Sequence, residues 1–176
     1  MTARQGLEAA LGDVEELVQA HVALTGGGVG APAQRQGQAI SRAAIVILVA
    51  AIEVFVEELF EETALKFYEV NDRADLKFLF SNTTDKLNHP SVEKIDLLFY
   101  NIGIMNVLDE VRWKKTSNDS FKKRFRALLE LRGRIAHGRR PSVRLSVVRR
   151  GLAFARRFAD CLQSTVDWYV ADEETK

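Results

Sequence analysis

An arginine and a histidine five residues apart, Arg132 and His137, are the side chains of this 176-residue chain best suited to chemistry. They lie in the segment ELRGRIAHGRR, at the end of an apolar helical pattern. An imidazole accepts or donates a proton near neutral pH, and a guanidinium stabilises the negative charge of a phosphate. The pair therefore supplies what phosphodiester chemistry requires, a proton carrier and a cation.

The sequence around this pair is strongly basic. Between Arg112 and Arg157, sixteen Lys or Arg stand against two acids, a net charge of +14. The rest of the chain has nine basic and 22 acidic residues, a net charge of −13, so that the total is only +1. Such a separation indicates a polyanionic partner for the basic half. A basic helix that pairs with acidic helices of the same bundle would give the same pattern.

Helical periodicity begins near the N-terminus. Apolar side chains recur at three- and four-residue spacing and predict an amphipathic helix over residues 3–24. His21 falls on the apolar stripe, and we interpret it as a buried or capping histidine rather than a catalytic one. The segment TGGGVGAPAQ lacks the Gly-Lys-Ser/Thr ending of a phosphate-binding loop and is interpreted as a flexible connection.

The next segment, from about residue 40 to residue 70, contains no helix breaker. Its first part, AAIVILVAAI, is apolar on every side, which predicts a helix buried at the centre of a bundle. Its second part becomes amphipathic, and its run of glutamates is interpreted as a solvated face rather than a metal site. Glu53 is the single acid that interrupts the apolar part.

Four further helices are predicted downstream. Ser91 caps a short helix over VEKIDLLFY, and a second short helix covers Met105 to Trp113. The helix that carries the Arg-x4-His pair begins after Asn118 or Asp119 as N-cap. Gly138, followed by a proline, stops that helix, and a last long helix covers residues 142–170. No segment alternates with a period of two for long enough to predict a sheet. The expected fold is an all-α helical bundle with a long buried central helix.

Length and composition agree with one domain over residues 1–176, because 47% hydrophobic residues are enough for a core. The single cysteine cannot form an intramolecular disulfide. The N-terminus does not read as a signal peptide, and the longest apolar run, residues 43–52, is too short to span a bilayer, which needs about 20 residues. We therefore expect a soluble, cytoplasmic protein with no membrane partner.

The geometry of one ideal helix separates the two candidate residues. With Leu128 at the centre of the apolar stripe, Arg132 lies about 40° away and His137 about 180° away. If both act on one phosphate, either the helix end unwinds or a second copy of the chain supplies the missing partner. An arginine at the edge of a core also needs a paired charge, for which Glu53 is the first candidate and Glu57 the second.

Four features together resemble the HEPN superfamily, and specifically the RiboL-PSP-HEPN group of prokaryotic all-helical domains. They are the long-helix sequence RAAIVILVAAIEVFVEELFEE, the segment HPSVEKIDLLFYNIGIMNV, Trp113, and LLELRGRIAHG with its Arg-x4-His. The resemblance covers most of the chain and implies a HEPN-like fold. It also implies a metal-independent endoribonuclease without a cofactor, which acts as a homodimer.

In that interpretation Arg132 and His137 of both protomers line one cleft. His137 moves a proton while the RNA 2′-hydroxyl attacks the adjacent phosphorus, and Arg132 holds the phosphate and stabilises its developing charge. Arg134, Arg139 and Arg140 would guide the RNA backbone. A toxin or phage-defence role, with an antitoxin or other regulatory partner, belongs to the same expectation.

The sequence departs from the family pattern at Gly133, where family members usually carry a polar residue after the arginine. No tyrosine follows His137, so the site modified by nucleotidyltransferase partners in one branch of the family is missing. Two alternatives therefore stay open: a non-catalytic RNA-binding or protein-interaction module, and a structural helical dimer whose basic face meets its own acidic helices.

Overall fold

A computed structural model describes residues 1–26, 31–67, 91–111 and 113–173. These residues form six helices and no strand, which confirms the predicted all-α class. The helices are α1 (Ala3–Thr25), α2 (Ala31–Phe67), α3 (Val92–Tyr100), α4 (Val107–Glu110), α5 (Asn118–Ala136) and α6 (Leu145–Glu173).

Helices α1 and α2 pack side by side along most of the length of α1. A capping box starts α1: the Thr2 hydroxyl accepts the backbone N–H of Gln5, and the Gln5 side chain accepts the N–H of Thr2. The predicted apolar stripe is buried at Leu7, Leu11 and Val14. Of the predicted connection TGGGVGAPAQ, residues 27–30 lie outside the described part of the chain, whereas residues 31–34 already belong to α2, so the prediction is wrong there.

Helix α2 is the predicted central helix, and it contacts α1, α5 and α6. Its buried side chains are the largest contribution to the core: Ile45, Leu48, Ile52, Phe55, Val56, Leu59 and Phe60. The helix begins at Ala31, earlier than the sequence predicts, and Pro32 is tolerated there because a proline fits the first helical turn. Residues 68–70 of the predicted helix lie outside the described residues.

By length and composition α2 would be able to cross a membrane, and half of its most apolar stretch is buried inside the protein. The sequence predicts that the apolar run at residues 43–52 is too short to span a bilayer. As a criterion of length that prediction is wrong, since the helix that contains the run extends well beyond it. Burial on more than one side is what the core helix of a bundle requires.

Helices α5 and α6 are joined by an aromatic cluster. Phe121 and Phe125 of α5 stack against Phe154 and Phe158 of α6, with ring centroids 5.3 to 5.9 Å apart. Trp113 lies 5.2 Å from both Phe121 and Phe154. Because each helix contributes residues four apart, the rings lie on one face and fix how α5 is aligned along α6.

Glycine at position 151 allows α6 to lie close to the central helix. Gly151 is buried, and a Cβ atom built there would come within 2.4 Å of Cδ2 of Leu48 on α2. Leu48 is itself fully buried. Any larger residue would therefore have to move a packed core side chain.

Side-chain caps fix the shorter elements. The predicted cap of α3 is confirmed, since the Ser91 hydroxyl accepts the N–H of Lys94 at 3.1 Å. Helix α5 is capped by Ser117 rather than by Asn118 or Asp119, so that prediction is one residue late. The Asn118 side chain instead donates to the carbonyl of Leu108, at 2.6 Å, and ties the start of α5 to α4.

Candidate catalytic site and basic surface

The C-terminus of α5 places His137. The helix ends at Ala136, His137 is the C-cap, and Gly138 follows with φ of +77°. The N–H of Gly138 donates to the carbonyl of Ile135, and the N–H of Arg139 donates to that of Arg134, each at 3.0 Å. These two bonds form a Schellman motif, in which the left-handed position is one that glycine adopts without strain. The chain therefore turns sharply away from the helix directly after His137.

The His137 side chain is exposed at this turn. Its backbone N–H donates to Gly133, but within the described residues the imidazole has no hydrogen bond or ion pair. An imidazole in this position is accessible to a substrate and has both nitrogens available for proton transfer.

Arg132 lies on a different side of the same helix, against α2. Its Nη2 atom is 3.6 Å from Oε1 of Glu53, and the two side chains are 20% and 19% exposed. This distance defines an ion pair but is longer than a direct hydrogen bond between those atoms. The pairing that the lone acid of the apolar segment predicts is thus present, and the catalytic role of Arg132 stays a prediction.

Arg132 and His137 do not meet within one protomer. Helix α5 is regular up to Ala136, so the angular separation expected of an ideal helix holds, and the helix end does not unwind to bring the pair together. One side chain faces α2 and the other faces solvent. Of the two ways in which the pair could act jointly, only contribution from a second copy is compatible with this conformation.

Gly133 is not required by packing. A Cβ atom built at this position has no neighbour within 4 Å, and the residue lies inside α5 with no left-handed backbone. A larger side chain would therefore fit between Arg132 and the helix end. The missing polar group is a difference in the chemistry of the site and not a consequence of the fold.

Most of the basic stretch is not neutralised within the chain. Of the fifteen Lys and Arg of residues 113–157, all of which the structure describes, four form ion pairs with carboxylates: Lys122 with Asp109, Arg126 with Glu93, Arg132 with Glu53, and Arg156 with Glu8 and Glu15. The hydrogen bonds to Glu15 and Glu8 raise the pKa of Arg156, and Arg126 lowers the pKa of Glu93 to about 2.

The other eleven cations of residues 113–157 are all exposed, and none has a carboxylate partner among the described residues. They are Lys114, Lys115, Lys123, Arg124, Arg134, Arg139, Arg140, Arg144, Arg149, Arg150 and Arg157. The structural alternative, in which the basic face meets acidic helices of its own chain, accounts for only a minority of the charge. The remainder forms a basic surface available to a polyanion.

The three arginines predicted to contact RNA are exposed but point to different places. Arg134 lines a groove of about 700 Å³ between α5 and α6, whose floor includes Leu131 and Phe154. Arg140 lies in the loop after α5 and lines a second, polar cavity. Arg139 lies at the end of α5, where its backbone N–H donates to the carbonyl of Arg134, and it lines neither space. Their roles in RNA binding stay predictions.

Sequence reasoning missed two residues that hold the loop after His137. Gln38 of α2 accepts the backbone N–H of Val143 at 2.7 Å, and Nη1 of Arg42 donates to the carbonyl of Pro141 at 3.5 Å. The partners are about a hundred residues apart in sequence, at separations of 105 and 99. No local spacing signals such a contact, since it forms only when α2 and the loop are packed together.

No group of three or more potential metal-binding side chains occurs within the described ranges. The acidic run at the end of α2 contains a carboxyl, Glu58, whose pKa is raised by partial burial and by neighbouring Glu62. Metal independence stays a prediction of the family resemblance.

An all-helical fold with Arg-x4-His at the end of a helix is the combination that defines the HEPN class of domains. The sequence model of one family, RiboL-PSP-HEPN, matches residues 13–167, and the chain belongs to that family. The match confirms the resemblance, and the family is associated with RNA substrates and with dimers. No curated protein and no solved structure gives a significant match to the chain.

Proposed function

We propose that the protein is a metal-independent endoribonuclease whose active site is formed between two copies of the chain. The observation that carries the proposal is the placement of the motif residues: Arg132 is held by Glu53 at the edge of the core, and His137 is exposed at the helix end. The exposed cations around them supply the electrostatic attraction that an RNA backbone needs.

The proposed reaction is an internal transesterification. The 2′-hydroxyl loses its proton to one His137 imidazole, and its oxygen forms a new bond to the adjacent phosphorus. The bond from phosphorus to the 5′-oxygen breaks, and that oxygen takes the proton from the His137 imidazolium that the first step forms. Arg132 stabilises the additional charge on the phosphoryl oxygens. The products are a 2′,3′-cyclic phosphate and a 5′-hydroxyl.

An exposed apolar stripe on α2 supports the dimer. Ala43, Ile47, Ala50 and Val54 follow one another at four- and three-residue spacing, and Ile47 and Val54 are 37% and 48% exposed. A stripe of this kind on a core helix is a surface that a second copy would bury. Glu53 flanks it, so a copy docked there would lie beside the Arg132–Glu53 pair.

The test is cleavage of a purified RNA in the presence of EDTA, with His137→Ala prepared in parallel. We expect the wild type to give cyclic phosphate ends and His137→Ala to be slower by about 10²–10⁴, the usual cost of losing a general acid–base group. Because the His137 side chain is exposed, the variant should unfold at the wild-type temperature. Equal cleavage by both proteins would show that the activity is not that of this site.

Mixing inactive variants tests whether the site is shared. Arg132→Ala and His137→Ala are each expected to be inactive, but a mixed dimer contains one intact arginine and one intact histidine on different copies. Activity that returns on mixing supports a composite site. If mixing restores nothing although an affinity tag on one variant also recovers the untagged other, the two residues act within one chain or not at all.

The second candidate function is an RNA-binding module without catalysis, and Gly133 is the observation that favours it. Since the position has room for a side chain, Gly133→Asn tests the point directly. A gain of cleavage identifies Gly133 as the weak point of an enzyme. Salt-sensitive RNA binding by both proteins, with cleavage by neither, makes the non-catalytic function the better one. The cytoplasmic location, the toxin or defence role and a regulatory partner stay predictions.

A further inference from the structure

A polar cavity of about 1070 Å³ opens where α1 and α2 meet the loop that follows His137. Four cationic or titratable basic side chains line it: His21 from α1, Arg35 and Arg42 from α2, and Arg140 from the loop. The rest of the lining consists of amides, hydroxyls and one alanine, and no carboxylate is among the described residues that line it. A cavity of this composition attracts an anion that accepts several hydrogen bonds.

The wall formed by the loop is held in place. Gln38 and Arg42 of α2 bind the loop backbone at Val143 and Pro141, on the two sides of Ser142. Arg140 comes directly before this fixed segment, so its position over the cavity is set by contacts of its neighbours rather than by its own side chain. The cavity is therefore organised before any ligand arrives.

His21 also has a defined place in the cavity. Its Nδ1 atom lies 3.4 Å from the hydroxyl oxygen of Thr25. A Cβ atom at Gly37 would come within 2.9 Å of its Nε2 atom, so glycine allows the imidazole to lie against the backbone of α2. The histidine that the sequence stripe predicts to be buried or capping is half-buried and lines a polar cavity.

We propose that this cavity binds a phosphate ester, and that it is a subsite for the RNA strand that the proposed function places at His137. The subsite deepens, and rests on, that proposed function. Arg140 is three residues from His137, which limits the distance between their Cα atoms to about 11 Å. One strand is thus able to touch both, and Arg42 and Arg140 contact its phosphates. A free nucleotide presents the same phosphate chemistry, and the first experiment separates the two sources.

The first experiment follows the imidazole signals of the three histidines by NMR during titration of the full chain. The probes are a single-stranded oligouridylate with a non-cleavable 2′-deoxy backbone and, separately, uridine monophosphate. His21→Gln and His137→Gln assign the signals. We expect His21 to shift with both probes and at much lower concentration with the oligonucleotide. Tighter response to the mononucleotide would identify a free nucleotide as the ligand and overturn the strand subsite.

The two histidines separate failure of the subsite from failure of the proposed function. If His21 shifts and His137 does not, the phosphate cavity stands and the catalytic proposal is the one that fails. If His137 shifts while His21 does not respond to either probe, the cavity is not a phosphate site.

The second experiment measures how binding of the oligonucleotide depends on salt. Each phosphate contact on a single strand contributes about 0.7 to the slope of log K against log salt concentration. Arg140→Gln should therefore reduce the slope by about 0.7, which corresponds to about 5-fold weaker binding at about 0.1 M salt. The Arg140 side chain is exposed, so the fold should persist.

The matched control removes one exposed arginine outside the basic surface. Arg126 pairs with Glu93 and lines none of the cavities described above. Arg126→Gln should leave the slope close to that of the wild type. An equal loss in this control would mean that RNA responds to the net charge of the protein, and the subsite proposal would be wrong.

Discussion

Replacing Glu53 by glutamine removes the charge that faces Arg132 and keeps the size of the side chain. Oε1 of Glu53 lies 3.6 Å from Nη2 of Arg132, and only about a fifth of each side chain is exposed. A pair withdrawn from water is screened less than a pair at the surface. In Glu53→Gln the guanidinium stays partly buried without its counter-charge, so we expect the free energy of unfolding to fall.

The size of the effect follows from how far the pair is buried. Ion pairs at the surface contribute about 0–1 kcal/mol, whereas removing one partner of a fully buried pair costs about 3–5 kcal/mol. Since each side chain is still a fifth exposed, we expect about 2 kcal/mol. For a chain of this length that corresponds to a decrease of about 4–8 °C in Tm. If the pair of Arg132 and Glu53 were fully buried, the expected loss would be the larger value of about 3–5 kcal/mol.

The assay is urea unfolding of the wild type, Glu53→Gln, Arg132→Met and the double variant. We expect the double variant to be more stable than Glu53→Gln alone, because it no longer contains the partly buried guanidinium that has lost the Glu53 carboxylate. The exposed pair of Arg126 and Glu93 provides the control, and Glu93→Gln should cost less than about 1 kcal/mol. A loss below about 0.5 kcal/mol in Glu53→Gln, or additive effects in the double variant, would refute the reasoning.

Four further predictions concern three glycines and one half-buried carboxyl, and each is measured by thermal or urea unfolding. Gly133→Ala should stabilise the protein by about 0.5–1 kcal/mol, because position 133 lies inside a helix and has free space around it. Gly138→Ala should destabilise the protein by about 1–2 kcal/mol, because φ at position 138 is +77°. Gly151→Ala should cost about 1–3 kcal/mol, since the new methyl group meets Leu48, and the reverse outcome would mean that α6 sits further from α2. Burial raises the pKa of Asp96, which means that the folded protein favours the neutral carboxyl. The resulting contribution of Asp96 to the free energy of unfolding is present below about pH 4 and is lost as the pH rises through the raised pKa. Asp96→Asn should therefore gain stability relative to the wild type at neutral pH and not in acid.

Most of the fold could be predicted because it rests on local patterns. Helix α1 was expected over residues 3–24 and covers Ala3–Thr25, and the Ser91 cap is where its sequence signal places it. The start of α2 could not be predicted in the same way. The residues from Ala31 to about 40 have weak periodicity, and they are helical because they pack on α1.

The candidate site likewise contains one feature that the sequence predicts and others that it does not. The ion pair of Arg132 with Glu53 was predictable, since a lone acid in an apolar helix must find a cation. The contacts of Gln38 and Arg42 with the loop after His137 were not, because they join segments that are distant in sequence. A site shared by two copies is not predictable from local patterns either, because it depends on contacts between two chains.

The aromatic cluster between α5 and α6 also gives the protein a built-in optical reporter. Trp113 packs against Phe121 and Phe154, and the guanidinium carbon of Arg157 lies 5.6 Å from the centre of its ring. The other tryptophan, Trp168, is 62% exposed near the end of α6. A neutral collisional quencher such as acrylamide will reach Trp168 first, so the emission that is quenched more slowly comes from the half-buried Trp113. That fraction follows the packing of α5, the helix that carries Arg132 and His137, without any label being attached.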